Sequence, residues 1–188
     1  MHYNGYYRFN ESRYDYNEPV FYDVRTTANN NNNNTTNNTT INEDIYSYPE
    51  NFTNAIVLIE EAIAGEEEDR LFYTYLINNA PSEEDRQIIT GIRDNEIRHH
   101  SLFLKLYSEL TGKTPPQLPG ERFVPPSSYC EGLQRSIIGE ESAVAKYRQI
   151  LFAMQDRIHI NMLTEIITDE IRHGILYTYL YSKNNCNF

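Results

Sequence analysis

Tryptophan is absent from this 188-residue chain, methionine occurs three times and cysteine twice. Two cysteines, Cys130 and Cys186, can build neither a disulfide scaffold nor a four-thiolate metal site, and both are expected to stay reduced. No run of about 18 apolar residues occurs, so no segment is expected to span a membrane. Basic charge is also short: 16 Lys and Arg stand against 27 Asp and Glu, a formal net charge of -11. Nucleic acids and anionic membranes recruit basic surfaces, so neither is an expected partner, whereas an acidic chain suits the gathering of cations. Residues 1–10 are polar and rich in tyrosine, without the apolar stretch of a secretory leader, and a cytoplasmic protein is the expectation.

What is present is unevenly spread. Residues 1–48 read as a disordered tail, with Tyr3, Tyr6, Tyr7, Tyr14, Tyr16 and Tyr22 among asparagines and charges, then an Asn/Thr tract from Asn29 to Thr40. Such a tract has too few apolar groups to offset chain entropy. From Phe52 onward the apolar residues recur at three- and four-residue steps. Phe52, Ile56, Ile59, Ile63, Glu66, Tyr73 and Ile77 share the first helical stripe, and "NNAPS" ends it. Ser82 is placed to cap a second helix with Asp85 at its third position. That helix carries Ile92, Glu96, His99, Phe103 and Leu106 inward and stops near Thr111–Gly112. The Pro- and Gly-rich "GKTPPQLPGERFVPPSS" forbids a helix and reads as a long connection. A third helix begins near Tyr129, with Leu133, Ile137, Glu140, Val144 and Tyr147 on its stripe. The fourth, after "QDR", carries Leu163, Ile166, Glu170, His173, Tyr177 and Leu180. The expected fold is all-α: an antiparallel four-helix bundle over residues 49–183, two hairpins joined by a long crossover, with a short C-terminal tail at 184–188.

The two hairpins are copies of each other. "AIAGEEEDRLFYTYLI" resembles "SIIGEESAVAKYRQIL", and "NEIRHHSLFLKLYS" resembles "DEIRHGILYTYLYS", at one gapless offset of 74 residues. Glu66 then pairs with Glu140, Glu96 with Glu170, and His99 with His173. Apolar pairs could match because both faces are core, but buried-stripe glutamates and histidines have no such excuse. Four carboxylates buried together would be prohibitive without compensation. Two divalent ions balance four carboxylates, with two imidazoles as neutral ligands, and the i, i+3 step sets each Glu beside its His. Carboxylate-rich ligation with one imidazole per ion suits iron or manganese better than zinc or copper. His100 has Gly174 as its counterpart and falls outside the set. Glu67 and Glu141 sit about 100 degrees round the helix from the ligands and read as surface charge. Arg98 and Arg172 read as ion-pair formers, and Tyr73 and Tyr147 as core aromatics.

One Glu from each of two helices and Glu-x-x-His from each of the other two is the ligand inventory of ferritin-like dimetal carboxylate bundles. "AIAGEE", "NEIRHH", "SIIGEE" and "DEIRHG" resemble the four ligand helices of the ferritin-like superfamily, particularly its rubrerythrin-like branch, over about residues 52–182. The resemblance implies that Glu66 and Glu140 are the single-Glu ligands, in part bridging, and that Glu96 with His99 and Glu170 with His173 are the Glu-x-x-His ligands. It implies two iron ions, or alternatively manganese, and reaction with oxygen or hydrogen peroxide as a ferroxidase or peroxide-scavenging oxidoreductase in oxidative-stress defence. Rubrerythrins of the familiar kind add a rubredoxin domain with paired Cys-x-x-Cys motifs, which this chain lacks. They also carry a further metal-binding Glu where Ala143 stands. An external electron donor protein is therefore implied, and a homo-oligomer in a bacterial cytoplasm, or a spore-associated location, is in keeping. Manganese catalase chemistry is one alternative. A structural, coat or assembly protein with a metal-binding scaffold, its contacts made by the Tyr/Asn-rich tail, is another.

Overall fold

The computed structural model describes Tyr46, Tyr48 and residues 51–116 and 123–187, without the side chains of residues 66–68. The 1–48 tail thus lies outside the described residues apart from those two tyrosines. Among the described residues five α-helices follow in order: α1 (Phe52–Ala64), α2 (Glu66–Asn79), α3 (Glu83–Thr111), α4 (Tyr129–Phe152) and α5 (Arg157–Lys183). No strand occurs among the described residues, and the fold is all-α. The helix boundaries follow local chemistry. Extended Ser82 accepts a hydrogen bond from the Asp85 amide at 3.2 Å, and Gly112, in the left-handed region at φ 67°, closes α3 by donating to the Ser108 carbonyl. Ser128 caps α4 through the Glu131 amide, and Asp156 caps α5 through the amides of Ile158 and His159.

The first hairpin departs from expectation. Instead of one helix from Phe52 to Ile77, the chain breaks at Gly65, which is at once the C-terminal cap of α1 and the residue before α2. Glycine alone does not account for the break, because its repeat partner Gly139 stands inside unbroken α4. The difference lies in the next four residues. "EEED" puts four successive acids after Gly65, against "EESA" after Gly139. Acidic residues complement the positive end of a helix that starts at them.

Helix α3 packs against α1, α2 and α5, and α4 against α1, α2 and α5. Helices α3 and α5 run antiparallel: Lys183 at the end of α5 reaches Glu84 and Asp85 at the start of α3, and His159 at the start of α5 reaches Glu109 near the end of α3. The core divides into two clusters. Ala55, Ile59, Phe103, Leu106, Ile150 and Leu163 fill one end, and Leu76, Ile89, Ile92, Leu133, Tyr177 and Leu180 fill the other. On α3 the interval between Ile92 and Phe103, and on α5 that between Ile166 and Tyr177, holds the polar residues singled out by the repeat.

The expectation of reduced cysteines is overturned. Cys130, in the first turn of α4, is joined by a disulfide to Cys186 beyond the end of α5, with Cα atoms 5.5 Å apart at a sequence separation of 56. Sequence spacing gave no sign of this, because the antiparallel course of α4 and α5 is what brings the two positions together.

Candidate metal centre

Glu96 and His99 project from α3, Glu140 from α4, and Glu170 and His173 from α5, all toward one point between the two apolar clusters. Ligand-capable atoms of Glu96, Glu140, Glu170 and His173 lie within 4.8 Å of one another. His173 Nδ1 is 2.8 Å from Glu96 Oε1, 3.5 Å from Glu170 Oε2 and 3.7 Å from Glu140 Oε2. His99 Nδ1 completes the group, 3.2 Å from Glu170 Oε1 and 3.5 Å from Glu96 Oε2. The two imidazoles stack with ring centres 5.9 Å apart. Of the six residues expected from the repeat, five are therefore together. The sixth, Glu66, is the first residue of α2, and its side chain lies outside the described residues.

Burial makes this arrangement costly. His99, His173, Glu140 and Glu170 are buried, and Glu96 is the partly open member, its side chain 22% exposed. Without a cation the charges settle by proton uptake. Burial opposes a charged His99, yet the carboxylates of Glu170 and Glu96 outweigh it and push its pKa up to about 10. Burial likewise opposes His173, and Glu140, Glu170 and Glu96 raise it to about 11. Desolvation, with the charges of Glu170 and Glu96 adding to it, holds the Glu140 carboxyl well above the usual range. For Glu170 burial acts upward, but its contacts with His173 and His99 prevail and lower it to about 2. An ion-free cluster thus carries protons where a loaded one would carry metal.

Hydrogen bonding tests whether a cation fits. Among the described residues, Glu96 Oε1, Glu170 Oε1, His99 Nδ1 and His173 Nδ1 are buried without a hydrogen-bond partner, close to one another but misaligned for donor and acceptor. Four buried polar atoms from two helices, converging without bonding one another, fit a metal's ligand set. The outer nitrogen of His99 is held: Nε2 lies 3.2 Å from Asp169 Oδ2. A proton on Nε2 donated to that carboxylate leaves the Nδ1 lone pair facing the cluster. Asp169 is fixed in turn by Arg172, 2.9 Å away, and by Asn95 Nδ2 at 3.4 Å. Beside Glu96 and His99 a cavity of about 50 Å³ opens between Tyr73, His100, Phe103 and Tyr147.

Asp169 was not singled out from sequence, although it had a signal. It directly precedes Glu170, and its repeat partner is Asn95, so the two halves differ at this step. Arg172 pairs with Asp169, and Arg98 with Glu165 at 2.7 Å, as ion-pair formers should. Tyr177, read only as a core residue, is fully buried with its hydroxyl unpartnered among the described residues.

An all-helical fold with five carboxylate and imidazole groups converging in its core defines a ferritin-like carboxylate bundle. The Rubrerythrin family profile matches residues 58–124, which include the second half of α1 and all of α2 and α3. The uncharacterized protein YhjR of Bacillus subtilis (strain 168) is 30% identical over 137 residues, covering 71% of this chain and 93% of the relative. No solved structure matches. The chain belongs to the rubrerythrin family.

Proposed function

We propose that this protein holds a pair of redox-active divalent cations, most suitably iron, and uses them to reduce peroxide or oxygen. The observation that supports this best is the convergence of buried, unpartnered atoms of Glu96, His99, Glu170 and His173 with Glu140 beside them. Glu96, Glu140, Glu170 and Glu66 would supply the anionic ligands, and His99 and His173 the neutral ones. When bound, such a pair supplies two electrons to a peroxide or dioxygen substrate.

The chain's own residues set the conditions for that chemistry. Burial of Glu140 and Glu170 raises the strength of each charge interaction and excludes bulk water. Glu96, the partly exposed carboxylate, has room to change its mode of contact as charge changes, whereas Glu170 is 2% exposed and held between both imidazoles. The cavity beside Glu96 and His99 admits a molecule of a few atoms and no more, which selects a small oxidant over an organic substrate. Asp169 keeps the His99 proton on the outer nitrogen. Peroxide scavenging is the preferred branch, with electrons arriving from outside the cluster.

The test is metal analysis of the purified chain, followed by peroxide consumption with ascorbate as electron donor. Expected are about two ions per chain and a loss of both binding and turnover in Glu96→Ala. Trace metal only, or a Glu96→Ala variant that loads and turns over like the parent, would overturn the reading. Anomalous scattering at the iron and manganese edges identifies the ion. Oxygen release without any donor would move the assignment to a catalase.

A further inference from the structure

The repeat duplicates the ligands but not their surroundings. At the Leu76–Leu133 end of the bundle stand Tyr129, Cys130, Tyr177 and Cys186. Subtracting the 74-residue offset, their counterparts toward the other end are Ala55, Ile56, Phe103 and Gly112, none of which exchanges electrons readily. Tyr177 lies one helical turn beyond His173, and Tyr129 directly precedes the disulfide-bonded Cys130. Tyr73, Tyr129, Tyr177 and Cys186 all belong to the same apolar cluster, packed around Leu76, Leu133 and Leu180. Cys130 lies ten residues before Glu140 on α4, about 15 Å along the axis at 1.5 Å per residue, too far for direct reaction at the cluster. Tyr177, four residues beyond His173 on α5, falls within that interval, and Tyr129 stands at its outer end beside Cys130. Tyr129 also has a proton acceptor, its hydroxyl donating to Asp85 Oδ2 at 3.3 Å. Both cysteines are partly exposed, within reach of an external thiol.

We propose that Cys130 and Cys186 are a built-in reductant for the carboxylate–histidine cluster, a dithiol that closes to the disulfide seen here as Tyr129 and Tyr177 relay its electrons inward. The inference rests on the peroxide-reducing reading above and supplies an electron source for it. Electrons and protons balance. Two thiols lose two electrons and two protons and form the S–S bond. The O–O bond of hydrogen peroxide breaks, takes up those electrons and protons, and leaves as two waters. Each tyrosine gives up and regains one electron with its phenolic proton at every transfer, Tyr129 toward Asp85, and ends unchanged. An external dithiol then reopens the disulfide by exchange. Burial keeps the Tyr177 phenol neutral before transfer, with the nearby charges of Glu140 and Glu96 acting in the same direction.

The test follows thiols rather than turnover. The full-length chain is reduced with a phosphine, freed of it under anaerobic conditions, loaded with two equivalents of ferrous ion and given one equivalent of hydrogen peroxide. Expected is the loss of two titratable thiols per peroxide, at a rate at least tenfold lower in Tyr177→Phe and in the metal-free chain. Tyr177→Phe removes only the hydroxyl oxygen, and thermal melting checks that the variant folds. Thiols that survive peroxide consumption, a disulfide that cannot be reduced in the folded chain, or equal thiol loss with and without metal each overturn the proposal. So does an unchanged rate in a folded Tyr177→Phe variant. A wild-type chain that binds no metal, or leaves peroxide untouched even with ascorbate, overturns the functional reading itself and this inference with it.

Discussion

His99 on α3 and Asp169 on α5 meet across the bundle, the imidazole Nε2 lying 3.2 Å from the carboxylate Oδ2. The repeat-related position opposite His173 is Asn95, which instead donates to Asp169 and accepts from Arg172 at 3.2 Å. His173 Nε2 is left buried without a hydrogen-bond partner among the described residues. One imidazole is therefore oriented and made more basic by a carboxylate, and the other is not. The two proposed ion positions should therefore differ in affinity. Asp169→Asn is expected to weaken the His99 position by about 10- to 100-fold, as loss of an outer partner of a ligating histidine does elsewhere. Calorimetric titration should then show two separated binding events in the parent and a narrower or reversed gap between them in the variant. Identical isotherms would refute the asymmetry.

Metal loading should also release protons. In the ion-free chain His99 and His173 hold pKa values near 10 and 11, so both are protonated at neutral pH. Ligation through Nδ1 requires an unprotonated nitrogen, so a proton must leave each ring. The sign is then fixed: affinity rises with pH up to those values, by about a hundredfold per pH unit if two protons leave together. Titration in two buffers of different ionisation enthalpy counts the protons. A count near zero at pH 7 would contradict the ion-free protonation state described above.

Legibility in the sequence tracked physical locality. Ser82 and Gly112 declared helix ends because capping involves residues two to four apart, and both act as the spacing foretold, whereas the Ser128 cap of α4 was not named although the start near Tyr129 was. Glu96, His99, Glu140, Glu170 and His173 stood out because polar side chains on apolar stripes, repeated in register, have few bland explanations. The break at Gly65 was missed because its repeat partner sits in continuous helix, so the decisive difference was the acid run after it. The Cys130–Cys186 bond and the Asp169 contact were hidden for another reason. Each joins residues on different elements, and nothing in linear spacing reports how antiparallel helices bring them into register.

A second polar cluster, remote from the candidate metal centre, should govern acid stability. Asp85 is fully buried at the start of α3, where it receives hydrogen bonds from Ser82, Lys183, Tyr129 and, at 2.6 Å, Asn184. Burial pushes its carboxyl up, but the bonds from Lys183, Ser82 and Asn184 prevail and lower the pKa from 3.8 to about 2. A depressed carboxylate stabilises the fold above its unfolded pKa and loses that contribution as pH falls through the folded one. Between about pH 4 and pH 2 the chain should therefore lose about 2 kcal/mol through this residue alone. Asp85→Asn is expected to be less stable at pH 7 by at least that amount, because Lys183 loses its buried partner, and to show a flatter loss over the same interval. Chemical denaturation at stepped pH measures both, and parallel curves for parent and variant would count against the assignment.

Two glycines should respond to alanine with opposite signs. Gly132 lies in the first turns of α4, where an added Cβ would stand 2.5 Å from Leu76 Cδ2 and 3.4 Å from Pro126 Cγ. Leu76 is itself fully buried in the cluster that holds Tyr177, so it has no free direction in which to yield. The helix-forming advantage of alanine is about 1 kcal/mol, whereas overpacking of a filled core costs about 1–3 kcal/mol. The steric cost should win, and Gly132→Ala should lower stability. Gly91 lies in mid-α3 with nothing within 4 Å of an added Cβ, so only the helix-forming advantage applies and Gly91→Ala should raise stability by up to about 1 kcal/mol. Melting of the two variants beside the parent decides it. A Gly132→Ala protein as stable as Gly91→Ala would mean that α2 and α4 are not pressed together at Leu76.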